Sequence, residues 1–437
     1  MKRLLPTLLL GIGLLQANEA LDVLEGNKKA SEVKLPPAPE DSIVSQKAER
    51  ESVVYIQPHW APSPLDSVWA KAMLFEDPSN PWVQQAAITG FFDAHAAFGR
   101  ATIQDGGGGP DTHADLDGSR TRRARLGARL RMFGNTEVEA VGEFAGSEEF
   151  RGIEKLSAQT TIQPGTKVKY GKFRPQFPLE HDDNEISAYP NRSMLSNMLS
   201  PRSSLGIMLS KTHADWEYGL GWFSSDQHPD LPGIEGDGFL AFNLARNFVE
   251  PAGITNRRMR WRLNYIHNFD ANRSDPLSRY DLVGLFSANG AQALTRNPAY
   301  RHLVTTGVHF EQDNFSFDSE VMFGMGSVDR AWGLTLSPNY WLIPGTLKLV
   351  GRYHYAESRD AGGLISTMGV NGDPLFDSTP FFIGNEYESF YLGANLHLYE
   401  NQMVLMGGLE QIELSDDAGA GYNTDASIWH LGAQMSF

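Results

Sequence analysis

From Ile88 to Phe437 the apolar residues of this chain recur at every second position, in short segments separated by turn residues, and almost nowhere at helical spacing. The closing segment SIWHLGAQMSF shows the pattern: Trp429, Leu431, Ala433, Met435 and Phe437 share one phase. A period of two is that of a strand, whose successive side chains point to opposite faces. The same alternation runs through SSLGIMLS, WEYGLGWF, RMRWRLNYIHNF, HLVTTGVHFEQ, LKLVGRYHYAES and NQMVLMGGLEQIEL. No stretch of eighteen or more predominantly apolar residues follows the N-terminal run, so a bundle of membrane helices is excluded. If the chain crosses a bilayer it does so as a closed barrel, because every backbone N–H and C=O must find a partner where water is absent.

Connector lengths sharpen this. FGNTE, EQDNF and YENQM leave only a few residues for a reversal, which requires antiparallel hairpins. RATIQDGGGGPDTHADLDGS, SSDQHPDLPGIEGDG and SRDAGGLISTMGVNGDPLFDSTP are long and polar. Short turns at one end and long loops at the other are the arrangement of outer-membrane barrels. About fourteen to eighteen segments qualify as strands, and a bacterial barrel takes an even number, so the expectation is an all-β, transmembrane antiparallel barrel of about sixteen strands. A barrel of that size is expected to hold a water-filled lumen instead of a side-chain core.

The N-terminus reads as an export signal. Lys2 and Arg3 precede LLPTLLLGIGLL, with small residues at Ala17 and Ala20. The domain reading is therefore residues 1–20 as signal peptide, 21–87 as linker and short periplasmic segment, and 88–437 as the barrel. Within the linker, SPLDSVWAKAMLFED from Ser63 to Asp77 carries Leu65, Val68, Trp69, Ala72 and Met73 at helical spacing. The chain has no cysteine, so no disulfide, thiolate metal site or cysteine nucleophile is available. Nucleophile elbows, HExxH pairs and phosphate loops are absent, GGGGP lacks the lysine a phosphate cradle needs, and no cofactor or metal is expected.

One charge feature stands out against a formal net charge of -16: SRTRRARLGARLRMFGN, Ser119 to Asn135, holds six arginines. As a strand it sorts cleanly, with Ala124, Leu126, Ala128, Leu130 and Met132 on one face and Arg123, Arg125, Arg129 and Arg131 on the other. Arginine on the lipid face at mid-depth costs about 2 to 4 kcal/mol, so the arginines are assigned to the lumen. RRMRWRLNYIHNF repeats the device, with Arg258, Arg260 and Arg262 opposite Met259, Trp261, Leu263 and Tyr265. TKVKYGKF places Lys167 and Lys169 in one phase. Rows of guanidiniums in a confined aqueous path concentrate anions and match phosphate or carboxylate oxygens. Against this stands a structural role: Glu137, Glu139 and Glu143 follow on the next strand and can neutralise the ladder. His267 and His309 fall in the apolar phase of their strands and are expected at the membrane interface. The acidic balance and export signal exclude a nucleic-acid partner.

RTRRARLGARL, VKYGKFRPQFPLE, YPNRSM and the closing Phe together resemble the phosphate-selective porins O and P, in a strand and loop pattern running from about Ile88 to Phe437. The resemblance implies a sixteen-stranded outer-membrane barrel, a homotrimer, a loop folded into the pore, and basic residues leading anions such as phosphate through it. It places the inward loop at QFPLEHDDNEISAYPNRSMLSNMLSPRSS, with Arg192 and Arg202 as candidates for the constriction. Glu180, Asp182, Asp183 and Glu185 on the same loop depart from an anion path. Three readings remain: an anion channel, a general small-solute pore, and a barrel that anchors an outer-membrane enzyme; a soluble β protein such as a lectin is the fourth class.

Overall fold

The computed structural model describes residues 63–437 except 64, 106–108, 145–149, 151, 178–179, 181–186, 226–232, 235–237, 250–256, 270–299, 327–329, 360–363, 367–381 and 417–421. Residues 1–62, with the signal peptide and most of the linker, lie outside the described residues, as do Asp182, Asp183 and Glu185.

In chain order the elements are α1 (Asp66–Trp69), a single 3-10 turn (Ala70–Ala72), β1 (Met73–Glu76), β2 (Val83–Asp105), β3 (Thr112–Met132), β4 (Thr136–Glu143), β5 (Gly152–Gln163) and β6 (Thr166–Phe173). Then come α2 (Met194–Leu199), β7 (Ser204–His213), β8 (Trp216–Phe223), β9 (Phe239–Val249), β10 (Arg257–Asn268), β11 (His302–Gln312), β12 (Phe315–Met325) and β13 (Arg330–Ile343). The chain closes with β14 (Leu347–Ser358), β15 (Leu364–Ser366), β16 (Phe382–Gly384), β17 (Glu386–Tyr399), β18 (Met403–Ser415) and β19 (Tyr422–Ser436).

Sixteen of these strands pair antiparallel, each with its neighbour in sequence, and β19 pairs back onto β2 to close the ring. Closure extends to the final residue: Phe437 N–H donates to the Gly90 carbonyl at 3.0 Å and Gly90 N–H to the Phe437 carbonyl at 2.9 Å. The Phe437 ring covers Gly90 so closely that a Cβ there would lie 2.2 Å from it. A closed ring leaves no unpaired edge, which is what a lipid environment demands.

At one end of the barrel the reversals are tight, and several use a residue in the left-handed region: Ala214 at φ 50°, Asp313 at 52° and Glu400 at 46°. At the other end lie the long connections. The outward phase is apolar, with Leu126 at 54%, Leu220 at 56%, Leu392 at 58% and Trp429 at 50% exposure. The lipid-facing phases read from the sequence for β3, β10 and β19 are those observed.

Two expectations need correction. The Ser63 to Asp77 helix is one turn of α1, after which Met73–Glu76 extends and pairs with the overhanging start of β2. Backbone pairing at an otherwise unpartnered strand prevails over the helical spacing of a short segment. His309 does not face the membrane interface: it shares the inward phase of β11 with the buried Leu303 and Thr305, and its Nδ1 lies 2.6 Å from Asp318. His267 does lie in the outward phase of β10.

The lumen is not uniformly aqueous either. Towards the long-loop end the inward residues are apolar and fully buried, among them Phe223, Phe239, Ile266, Leu303, Met322, Ile412 and Ile428, and they form one continuous cluster. Phe177, Met194, Leu195 and Leu199, from the connection between β6 and β7, join that cluster. The connection enters the barrel and seats α2 in its interior, with Leu195 against Gly333 of β13 and Ser196 Oγ 3.8 Å from the Met322 sulfur. Water is displaced because large apolar side chains occupy the inward phase there as well.

Candidate functional site

Two bulges organise the interior. Between β2 and β3 the register steps from Asp93↔Arg123 to Ala94↔Thr121, leaving Arg122 as an extra residue. Between β4 and β5 it steps from Val141↔Lys155 to Gly142↔Ile153, leaving Glu154 as the extra one. A bulge re-aims side chains and lets two consecutive residues share a face. Arg122 and Arg123 are accordingly both buried on the inward side. Strict alternation misses this. An adjacent like-charged or charged pair inside an amphipathic strand, RR in β3 and EK in β5, is the signal that would have marked it.

Five arginines meet at this level. Arg122 Nη1 lies 3.4 Å and Arg123 Nε 3.7 Å from Asp93 Oδ2. Arg125 contacts Glu143 at 2.6 Å and Glu154 at 3.2 Å, and Arg174, just after β6, reaches the same Glu154 oxygen at 3.4 Å. Arg192, delivered by the inward loop, completes the group. Burial, and then the positive charges of Arg123, Arg174, Arg122 and Arg125, hold its guanidinium well below the ordinary arginine value. Its Nε is buried without a hydrogen-bond partner. Among the described residues, five guanidiniums gather around three carboxylates, Asp93, Glu143 and Glu154, with Glu180 also close enough to act on Arg122.

The loop is held rigidly enough to place Arg192. Arg122 Nη1 donates to the Pro190 carbonyl at 2.5 Å, the Tyr189 hydroxyl to the Gly351 carbonyl at 2.8 Å, and Asn395 Nδ2 to the Ala188 carbonyl at 2.8 Å. Arg352, from β14, donates to the Asn191 carbonyl at 2.7 Å and sits 3.4 Å from Glu180 and 3.2 Å from Glu410. Burial by itself raises the Glu180 carboxyl, but Arg352 and the hydroxyl and backbone N–H of Ser193 outweigh it and hold it below the usual glutamate range. Glu180 is therefore an ionised anchor of the loop, sharing Arg352 with Glu410.

Towards the tight-turn end the constriction opens into a chamber of about 750 Å³, lined by Arg125, Arg129, Glu139, Lys155, Lys348 and His397. Arg129 is 57% exposed and lies 3.6 Å from Glu139, which also meets Lys155 at 3.5 Å. Trp69 and Met73 line the same chamber. The segment carrying them is fixed at the rim, where Trp69 Nε1 donates to the Ser436 carbonyl at 2.6 Å and Tyr399 to Asp66 at 2.6 Å.

The structure brings the residues singled out in the sequence into three groups. Arg123, Arg125 and Arg192 meet at the level of the two bulges, joined by Arg122 and Arg174, which the sequence did not single out. Arg129 and Arg131 follow on the inward phase of β3, both exposed; Lys167 is exposed and Lys169 lies 5.0 Å over the Phe173 ring on β6. Arg258, Arg260 and Arg262 occupy the inward phase of β10, where Arg260 pairs with Glu217 at 2.7 Å and Arg258 with Glu311 at 3.9 Å. Arg202 is half-buried just ahead of β7. Among the described residues no group of three or more His, Cys, Asp or Glu is placed to hold a metal ion.

No family model matches the sequence, and no curated protein matches it. Solved structures do. The anion-selective porin from Comamonas acidovorans is 11% identical, with 80% of this chain and 99% of that one covered and a TM-score of 0.48. The outer membrane channel DcaP of Acinetobacter baumannii is 12% identical, with 83% and 100% covered and a TM-score of 0.49. OmpF of Salmonella typhi, in complex with daunomycin, is 10% identical, with 81% and 98% covered and a TM-score of 0.49. The chain is a closed sixteen-stranded transmembrane barrel, and its similarity to these proteins is one of fold.

Proposed function

We propose that this barrel is an outer-membrane channel for small anions, with its selectivity station at Arg122, Arg123, Arg125, Arg174 and Arg192. The observation that carries the reading is the gathering of five guanidiniums at one level among the described residues, with a buried, unpartnered nitrogen on Arg192. Forked guanidiniums suit phosphate and carboxylate oxygens, and several weak sites in succession attract an ion without trapping it. Arg129, Arg131, Lys155, Lys167 and Lys169 lead from the chamber to that level. Arg258, Arg260 and Arg262 contribute a second, largely neutralised row. Phosphate as preferred anion and a homotrimeric assembly rest on the resemblance to phosphate-selective porins.

An ion that passes this level next meets the apolar layer around α2. A general small-solute pore is favoured by one observation, the carboxylate partners of Arg125, Arg258 and Arg260. Planar-bilayer recording under a KCl gradient separates the readings. An anion-selective reversal potential that moves towards zero in Arg192→Gln supports the proposal; cation selectivity overturns it.

A further inference from the structure

Outside the lumen, at the long-loop rim of the β10 and β11 hairpin, two histidines stand directly opposite one another in register, His267↔His302. Both lie in the outward phase, and their Nδ1 atoms approach to 3.4 Å. Two metal–nitrogen bonds of about 2.0–2.1 Å at a tetrahedral angle hold their nitrogens about 3.4 Å apart. Unprotonated imidazole is a ligand for zinc, copper and nickel and a poor one for calcium or magnesium.

We infer that His267 and His302, with the Tyr265 hydroxyl beside them, form a two-imidazole site for a divalent transition metal of the zinc, copper or nickel class on the outer face of the barrel. The phenol oxygen of Tyr265 lies 2.8 Å from His302 Nδ1, a hydrogen bond that a metal ion on that nitrogen replaces. Packing orients the rings: Tyr265 stacks on His302 at 6.1 Å and 15°, and the edge of Phe269 meets His267 at 4.6 Å and 79°. Preorganised rings lose less rotamer freedom on binding.

The other close histidine pair does not offer this. His430 uses Nδ1 on His95 at 3.0 Å and Nε2 on Glu410 at 3.1 Å, and both rings are buried in the wall. His267 and His302 are instead half-buried and directed away from the lumen. A metal bridging them would tie β10 to β11 where a long connection begins, and would stabilise the folded barrel by mass action.

The test uses the untagged full-length barrel, folded in detergent and stripped with chelator. Titration with ZnCl2 by calorimetry is expected to show one ion per chain at this site. Cu2+ added in its place is expected to show two nitrogen ligands by electron paramagnetic resonance. His267→Gln and His302→Gln should each weaken binding by about tenfold or more, a loss of about 1.4 kcal/mol per decade. Tyr265→Phe should keep the two-nitrogen signature. Heat-dependent gel mobility confirms that each variant is folded. A one-nitrogen signature in the wild type, or affinity unchanged in His267→Gln, overturns the assignment. The outcome is independent of ion selectivity, since no residue of the lumen takes part.

Discussion

The two arginine rows, on β3 and on β10, have the same alternation and the same inward phase but different surroundings. Along β10 the register to β9 and β11 runs without a step, and its guanidiniums meet carboxylates of neighbouring strands, Arg260 with Glu217 and Arg258 with Glu311, at about one-third exposure. Along β3 a bulge adds Arg122 to the inward arginines, a second bulge on β5 aligns Glu154 beneath them, and the loop adds Arg192. Identical sequence periodicity thus yields a partly exposed row of ion pairs in one place and a buried arginine cluster in the other. What separates them is register, a property of pairs of strands and not of one.

The comparison can be broken most forcefully at Asp93, fully buried between Arg122 and Arg123. Removing one partner of a buried charge pair costs about 3–5 kcal/mol, so Asp93→Asn is expected to lower urea resistance by that order. Glu217→Gln on the other row, where the pair is partly exposed, should cost less than about 1 kcal/mol in the same measurement. Equal losses would mean the two rows do not differ in burial as described. Next in size, Leu126→Arg and Leu263→Arg should each cost about 2 to 4 kcal/mol, because the outward phases of the two rows are alike. Refolding titration in lipid vesicles checks this.

A selectivity difference follows. Arg192→Gln and Arg123→Gln are expected to shift the reversal potential in a KCl gradient towards zero by more than Arg260→Gln does; a larger shift in Arg260→Gln would relocate the selective level to β10. The smallest effect is in pH. Glu180 has its carboxyl held below the usual glutamate range, so its contribution is complete above that range and is lost as pH falls through the lowered value. Channel noise should stay constant from pH 7 down to the ordinary glutamate range and rise only in stronger acid. In Glu180→Gln it should be raised at every pH.

Much of this was legible in the sequence. Alternation gave the strands, connector lengths gave antiparallel pairing with long and short ends, and Leu126 and Leu263 fixed the lipid phase correctly. Arg122, Arg174 and Glu154 were not found, because a bulge cannot be read from one strand alone. The dry half of the lumen was missed for another reason. The inward phase was taken to be polar throughout, whereas β18 carries Ile412 and Leu414 there, and β2 carries Ile103. There Gln411, Glu413 and Gln104 take the outward phase, and that inversion of polar and apolar phases towards one end is the sign of a filled interior. The pairing of Glu180 with Arg352 is not legible in the sequence because the two lie 172 residues apart.

The seal between Gly90 and Phe437 bears on biogenesis. The two residues that meet there come from opposite ends of the β domain, so any folding intermediate that has not yet brought them together is an open ribbon with two raw borders. Those borders leave backbone groups without partners, which the lipid interior penalises until the ring is joined.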